Sequence, residues 1–350
     1  MPDQFNPYEE LEKRISQGQL KERNLALKST DMDKELNAVK LQFTTAPGLN
    51  GEFIMGNLVK YGYPNRLTTS SKIGLYLSNI WSFLTENPRR ANSEGGVFPA
   101  IIGTLLMTIL MCIFVTPFGV VAAIYLREYA RQGAVVRTVR IAINNLAGVP
   151  SIVYGAFGMA FFINYLGVSI DELFYSDRVK SGVGAMFGSG GMLWASLTLA
   201  ILTVPVVIVA TEEALAAVPR GIREGAFGCG ASKWQMIKTV VLPASAPGIL
   251  TGMILAMARG AGEVAPLMIV GVVDSAELSF ETSFPFGLEK QFMHLGYNIY
   301  YTGFKASDPE AALPLVFATT LLLITIVAVL NLAGIIIRQR LRKKYASGAF

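Results

Sequence analysis

Apolar positions in this chain collect into long runs. Ile101 to Leu126 carries no charged residue, and the same holds for Ile141 to Ile170, Met192 to Ala210 and Leu313 to Ile337. A fifth run, Ala244 to Val273, is interrupted by Arg259 and Glu263. Each reaches or approaches the roughly 20 residues that an α-helix needs to cross a bilayer. The pattern predicts an all-α membrane protein with five transmembrane helices, near 99–126, 141–166, 192–211, 245–273 and 312–337. Leu75 to Leu84, LYLSNIWSFL, is apolar but too short to span. With Tyr76 and Trp81 it reads either as an interfacial helix leading to the first span or as a packed helix of a small outer domain. Before it, Pro47-Gly48-Leu49-Asn50-Gly51 reads as turns.

Between the third and fourth runs lies a different pattern, residues 219–243, containing REGAFGCGASKWQMIKTVVLP. Pro219 suits the first turn of a helix. Ile222, Ala226, Trp234, Ile237 and Val241 recur at three-to-four spacing, apart from a gap at Gly230, while Arg223, Glu224, Lys233, Gln235 and Lys238 fall largely on other faces. That is amphipathic. Gly228 and Gly230 interrupt it and allow a positive φ. Leu242-Pro243 is expected to end the second helix, because a residue before Pro disfavours helical geometry. The reading is two short helices joined at a Gly elbow on the cytoplasmic surface.

Composition agrees with a membrane protein: 52% of the 350 residues are hydrophobic and 16% are charged, against about 25% charged in soluble domains. The net charge of +5 is a topology signal and not a nucleic-acid patch. Arg127, Arg131, Arg137 and Arg140 follow the first run; Arg220, Arg223, Lys233 and Lys238 follow the third; Arg338, Arg340, Arg342, Lys343 and Lys344 follow the fifth. The remaining loops are poorer in Lys and Arg, so these three belong in the cytoplasm, with 341–350 as a basic tail. Residues 1–96 then lie on the periplasmic side, yet they begin MPDQFNPYEELEKR, without an apolar leader. The expectation is a further transmembrane helix upstream of this chain. Cys112 falls in a span and Cys229 in a cytoplasmic loop, so no disulfide is expected between them. His294, the only histidine, falls in an outer loop with an ordinary surface role, and no Cys/His cluster suggests a metal.

Arg259 lies about halfway along the expected fourth span. There Arg costs on the order of 3 kcal/mol on insertion scales and must face a cavity or a partner. Glu263, at i+4, can reach it, and Pro266 kinks the helix beyond. Two readings stand: an ion pair that locks helix packing, or a guanidinium presented to an oxyanion with Glu263 holding it. Gly155, Gly158, Gly248 and Gly252 are read as sites of close helix packing.

Glu224-Gly225-Ala226, three residues, Gly230, nine residues, then Val240-Val241-Leu242-Pro243 resembles the EAA loop of ABC-importer permeases, E-A-A, three residues, G, nine residues, I-x-L-P. Gly225 and Val240 are conservative departures. Asn144 to Gly155, NNLAGVPSIVYG, resembles the second-segment signature of phosphate permeases. Ala258 to Leu267, ARGAGEVAPL, resembles their A-R-x-x-G-E-T-A-P-L segment, with Val264 in place of Thr. Val97 to Thr104 and Pro117 to Leu126 fit as well. The resemblance covers roughly 97–340 and points to the PstA type of phosphate permease. It implies a type I ABC importer permease fold, with six transmembrane helices in the family. It also implies a coupling helix that docks an ATPase through Glu224, Gly225, Ala226, Gly230, Leu242 and Pro243, and a phosphate path with Arg259 and Glu263. The implied partners are a second permease of PstC type, an ATP-binding dimer of PstB type, a periplasmic phosphate-binding protein of PstS type and the lipid bilayer.

The chain contains no G-x-x-x-x-G-K-[ST] loop, so ATP-Mg is expected on the separate ATPase and no cofactor on this chain. An intramembrane enzyme would need a nucleophile or metal set within the spans, where Arg259 and Glu263 are the ionisable residues; no catalytic residue is assigned. A structural adaptor would need neither the buried Arg nor the loop. A permease for another oxyanion or small solute is the alternative.

Overall fold

In the computed structural model, five helices among the described residues are long and apolar enough to cross a membrane: Phe98–Tyr129, Ser151–Phe174, Met192–Ala216, Lys233–Gly262 and Ala312–Lys343. They are called the first to fifth spans below. The structure describes residues 34, 38–44, 50–54, 67–89, 94–180, 184–274, 287–306 and 309–346. Contacts divide the chain into two units, Met1–Leu77 and Ser78–Phe350.

The first unit departs from an all-α reading. Lys40–Thr44 pairs antiparallel with Asn50–Ile54, and the Lys40 ammonium, hydrogen-bonded to Glu52, holds that carboxyl below its ordinary range. Of the expected turn, Pro47 to Leu49 lie outside the described residues. The helix that contains Leu75 to Leu84 is longer than the apolar stretch, Thr69–Thr85, and none of its residues is buried.

In the second unit the first and third spans make the most extensive helix pair, and the fourth packs on both. Their core comprises Met107, Met111 and Val115 of the first, Leu199 and Val207 of the third and Ala256 of the fourth. Close approach requires small residues, since lipid offers helices no hydrophobic reward for pairing. A Cβ on Gly252 would meet Ala210 at 2.8 Å, and Gly119 lies against Val207. Thr104, Thr108, Ser196, Thr198 and Thr203 are buried between helices and donate to carbonyls one turn back at 2.7 to 2.8 Å, whereas the buried hydroxyls of Thr116 and Thr211 on the same spans find no partner among the described residues. The fifth span is the least buried of the five and packs against the fourth span and the helix Leu295–Phe304.

Two expected span boundaries are corrected. The charge-free run from Ile141 is not one helix. Ala134–Leu146 is a separate amphipathic helix carrying Arg137 and Arg140, and the second span starts at Ser151. Gly148 and Pro150 break the run, with Pro150 extended at ψ 134 as the N-cap; absence of charge had concealed a Pro stop. The fourth span also differs from 245–273. It begins at Lys233, passes through Leu242-Pro243 and ends at Gly262. Pro243 does not terminate it because Ile237–Val241 forms a π-helical turn in which the Leu242 amide bonds back to Ile237. A widened turn absorbs the missing Pro donor that would break an α-helical ladder. Beyond Gly262, Glu263 is extended, and Ala265–Val270 is a separate short helix.

The opposite end from the hairpin is closed by loops and by the helix Leu295–Phe304. Asp171, 2% exposed, accepts the backbone N–H groups of Met186, Phe187 and Gly188 at 2.7 to 2.9 Å. Trp194 Nε1 then donates to the Phe187 carbonyl. His294 is fully buried, a correction to its expected surface position. Its Nδ1 accepts the Gly296 amide and caps Leu295–Phe304, and burial pushes its pKa down to about 4.

Candidate functional site

Residues 219–243 form the two helical pieces and Gly elbow expected of them. Arg220–Gly228 ends in a Schellman arrangement: the Gly230 amide donates to Phe227, and the Ala231 amide reaches back to Ala226. That closure needs a left-handed residue, and Gly230 supplies φ +79 at little steric cost. Ser232 and Gln235 then make a capping box that starts the next helix, a signature present in the sequence and not read there.

Glu224, Gly225 and Gly230 are exposed, and a Cβ at either Gly would meet open space. Ala226 is half-buried against the cluster formed by Met236, Ile237, Val241, Leu215 and Leu126. The expected apolar stripe therefore divides. Ile237 and Val241 are fully buried, whereas Ile222 and Trp234 are 41% and 57% exposed, with Phe227 beside them at 48%. Leu242 and Pro243 are half-buried within the fourth span and are not part of this exposed surface.

From the elbow the chain runs without a break to Arg259. Lys233 to Arg259 spans about 40 Å at 1.5 Å per residue. Arg259 stands in the last turn of this rod, not halfway along a helix. Its Nε lies 3.6 Å from Glu263 Oε1, an ion pair too long for a hydrogen bond. The two side chains are 30% and 20% exposed. Among the described residues the guanidinium makes no hydrogen bond, so its fork is open.

The turn is fixed from behind. Ala256, Gly260 and Ala261 are buried, and a Cβ on Gly260 would collide with the Met111 side chain. Leu255, one turn before Arg259 and on the same side, is 53% exposed. Leu255 also lines a cleft of about 270 Å³, together with Asn144, Ala147, Pro205, Val206, Val209, Ala210 and Glu213. The Tyr154 hydroxyl donates to the Leu146 carbonyl at 2.7 Å. The stretches 144–155 and 258–267 meet where Gly155 lies against Pro266, with a Cβ there 2.7 Å from the Pro266 Cα. The structure thus gathers Arg259, Glu263, Tyr154 and Gly155 at one end of the rod and Glu224, Gly225, Ala226 and Gly230 at the other.

Sequence reading missed the ion pairs beneath the hairpin. Arg223 bonds to Glu128, and Arg140 bonds to Glu212 at 3.1 Å. Their partners are 95 and 72 residues away, beyond any local spacing rule.

Residues 115–345 match the family described as the binding-protein-dependent transport system inner membrane component. Phosphate transport system permease protein PstA of Mycobacterium leprae is 32% identical over 265 residues, which cover 75% of this chain and 77% of that protein. The probable ABC transporter permease protein YqgH of Bacillus subtilis is 31% identical over 193 residues, 54% of this chain, and the chain spans 58% of the length of that relative. In fold, the chain is similar to a solved structure of the methionine ABC transporter MetNI in inward-facing conformations. The TM-score is 0.50 at 19% identity, covering 69% of this chain and 94% of that chain.

Proposed function

This chain belongs to the family of binding-protein-dependent transport system inner membrane components, and on that premise we propose that it is one permease half of an ATP-driven phosphate importer. Phosphate is the solute named for the PstA relative. The observation that carries the reading is the unbroken rod from Lys233 to Gly262. It joins an exposed hairpin, fit to receive another subunit, to an open guanidinium fork.

Glu224, Gly225 and Gly230 with exposed Ile222, Phe227 and Trp234 form a mixed polar and apolar surface suited to an ATPase subunit of PstB type. ATP-Mg would sit on that subunit. A second permease of PstC type completes the pathway, and a phosphate-binding protein of PstS type delivers solute at the opposite face. Arg259 offers phosphate oxygens a planar, permanently charged donor. Glu263 holds that donor without saturating it, so an arriving anion competes for the fork with one partner at 3.6 Å.

Reconstitution of the full complex with Arg259→Gln tests this. Assembly and ATPase association persist while phosphate uptake falls to background. Undiminished uptake removes Arg259 from the path, and uptake that sulfate or molybdate displaces more strongly than phosphate overturns the choice of solute.

A further inference from the structure

Most of the hairpin's polar groups point away from the protein, but Arg223 turns back into it. Its Nη1 donates to Glu128 Oε1 and its Nη2 donates to the Leu215 carbonyl at 2.6 Å. Glu128 belongs to the π-helical last turn of the first span, Tyr125–Tyr129, and Leu215 to the last turn of the third. One guanidinium thus joins three elements. A second fork grips the same two span ends. Arg140 places Nε and Nη2 on Glu212 Oε1 at 3.1 Å, Nη1 on Gln132 Oε1 at 2.9 Å and Nη2 on the Leu126 carbonyl at 3.3 Å.

The Arg223 and Glu128 side chains are 18% and 6% exposed, so this is not a solvated surface pair. A shielded pair that loses one member leaves the other charge uncompensated. Two charge-assisted bonds from one planar group are also directional. The helix Arg220–Gly228 cannot slide along the span ends without breaking both. Lys cannot replace this geometry, since an ammonium on a flexible stem is a point charge.

We infer that Arg223 is a positioning residue for transport, tying the hairpin helix to the inner ends of the first and third spans. The inference rests on the coupling role proposed above for the hairpin. A displacement imposed on the hairpin then enters the protein by two routes. One is the rod that carries Arg259. The other is the Arg223 fork, which makes the first and third spans follow the rod instead of yielding to it.

The test uses the complete transporter in proteoliposomes, with phosphate uptake and ATP hydrolysis measured in parallel and ATPase co-purification as the assembly control. Arg223→Gln keeps the ATPase bound and hydrolysis within about twofold, while phosphate moved per ATP falls by at least about tenfold, since both charge-assisted hydrogen bonds of the fork are lost and one alone is worth about that factor. Glu128→Gln, which spares the Leu215 contact, shifts the ratio in the same direction by less, and it decides the matter should Arg223→Gln fail to accumulate. Arg223→Lys, which keeps the charge without the fork, lowers the ratio as well. Uptake and hydrolysis that fall in proportion, or a ratio that does not change, overturn the inference by reducing the fork to a folding contact. ATPase binding that survives Glu224→Lys defeats the underlying docking reading instead, whatever Arg223 does.

Discussion

The contact between Gly155 and Pro266 gives a perturbation whose size is set by geometry. A Cβ on Gly155 would stand 2.7 Å from the Pro266 Cα and 3.0 Å from its carbonyl oxygen. Carbon atoms settle at about 3.5–4.0 Å, so Gly155→Ala demands roughly 1 Å of separation. Both obstructing atoms are backbone, so no side chain can swing aside, and the helix Ala265–Val270 must move as a body. Overpacking of this kind costs about 1–3 kcal/mol. In a unit of this size that lowers a melting midpoint by on the order of 5 °C. The shift also reaches Glu263, two residues before that helix, and disturbs the pair with Arg259. The assay is thermal unfolding of the detergent-purified complex together with phosphate uptake after reconstitution. Gly155→Ala lowers the midpoint and reduces uptake, and Gly155→Val does both more severely. An unchanged midpoint with full uptake would show that the two segments can separate freely, and the account of why they meet would be wrong.

Gly225→Ala is the matched opposite. Its Cβ enters open space within a helix, so the hairpin gains up to about 1 kcal/mol, read as a raised midpoint. Asp171→Asn removes the charge that holds three consecutive amides, each such bond contributing about 1.5–3 kcal/mol; proteolysis between Tyr175 and Gly191 should accelerate. His294 makes stability depend on pH. Its folded pKa of about 4 lies below the ordinary 6.5, so the unfolded chain binds the extra proton. Stability is therefore complete above about pH 6.5 and is lost, by on the order of 3 kcal/mol, as pH falls toward 4. His294→Asn retains a helix cap without titrating in this range, and its melting midpoint should fall less between pH 7.5 and 4.5 than that of the unaltered protein.

The sequence made the five spans legible because lipid demands long apolar runs, whatever the packing. It made the hairpin legible because Gly230 and the amphipathic faces are local signals. Span boundaries were less visible. The run from Ile141 is uncharged, yet Pro150 divides it, and a pattern of charge alone does not register a helix stop. Pro243 misled in the other direction, since whether a Pro breaks a helix depends on the turn preceding it. Arg259 and Glu263 were found as ionisable residues in an apolar run. Their placement at a helix end was not, because it depends on the extended Glu263 backbone. The forks of Arg140 and Arg223 and the clasp of Asp171 join residues far apart in the chain, where spacing carries no information.

The π-helical turn at Ile237–Val241 has a consequence for helical phase. Such a turn holds one residue more than an α-helical turn, so it accommodates an insertion without rotating the helix beyond it. The face on which Arg259 lies is thereby set against the hairpin independently of one residue's worth of chain. Deleting one residue within Ile237–Val241 would convert the turn to ordinary helix and leave Arg259 facing nearly as before. Deleting one between Ala244 and Ala258 would swing it by about 100°.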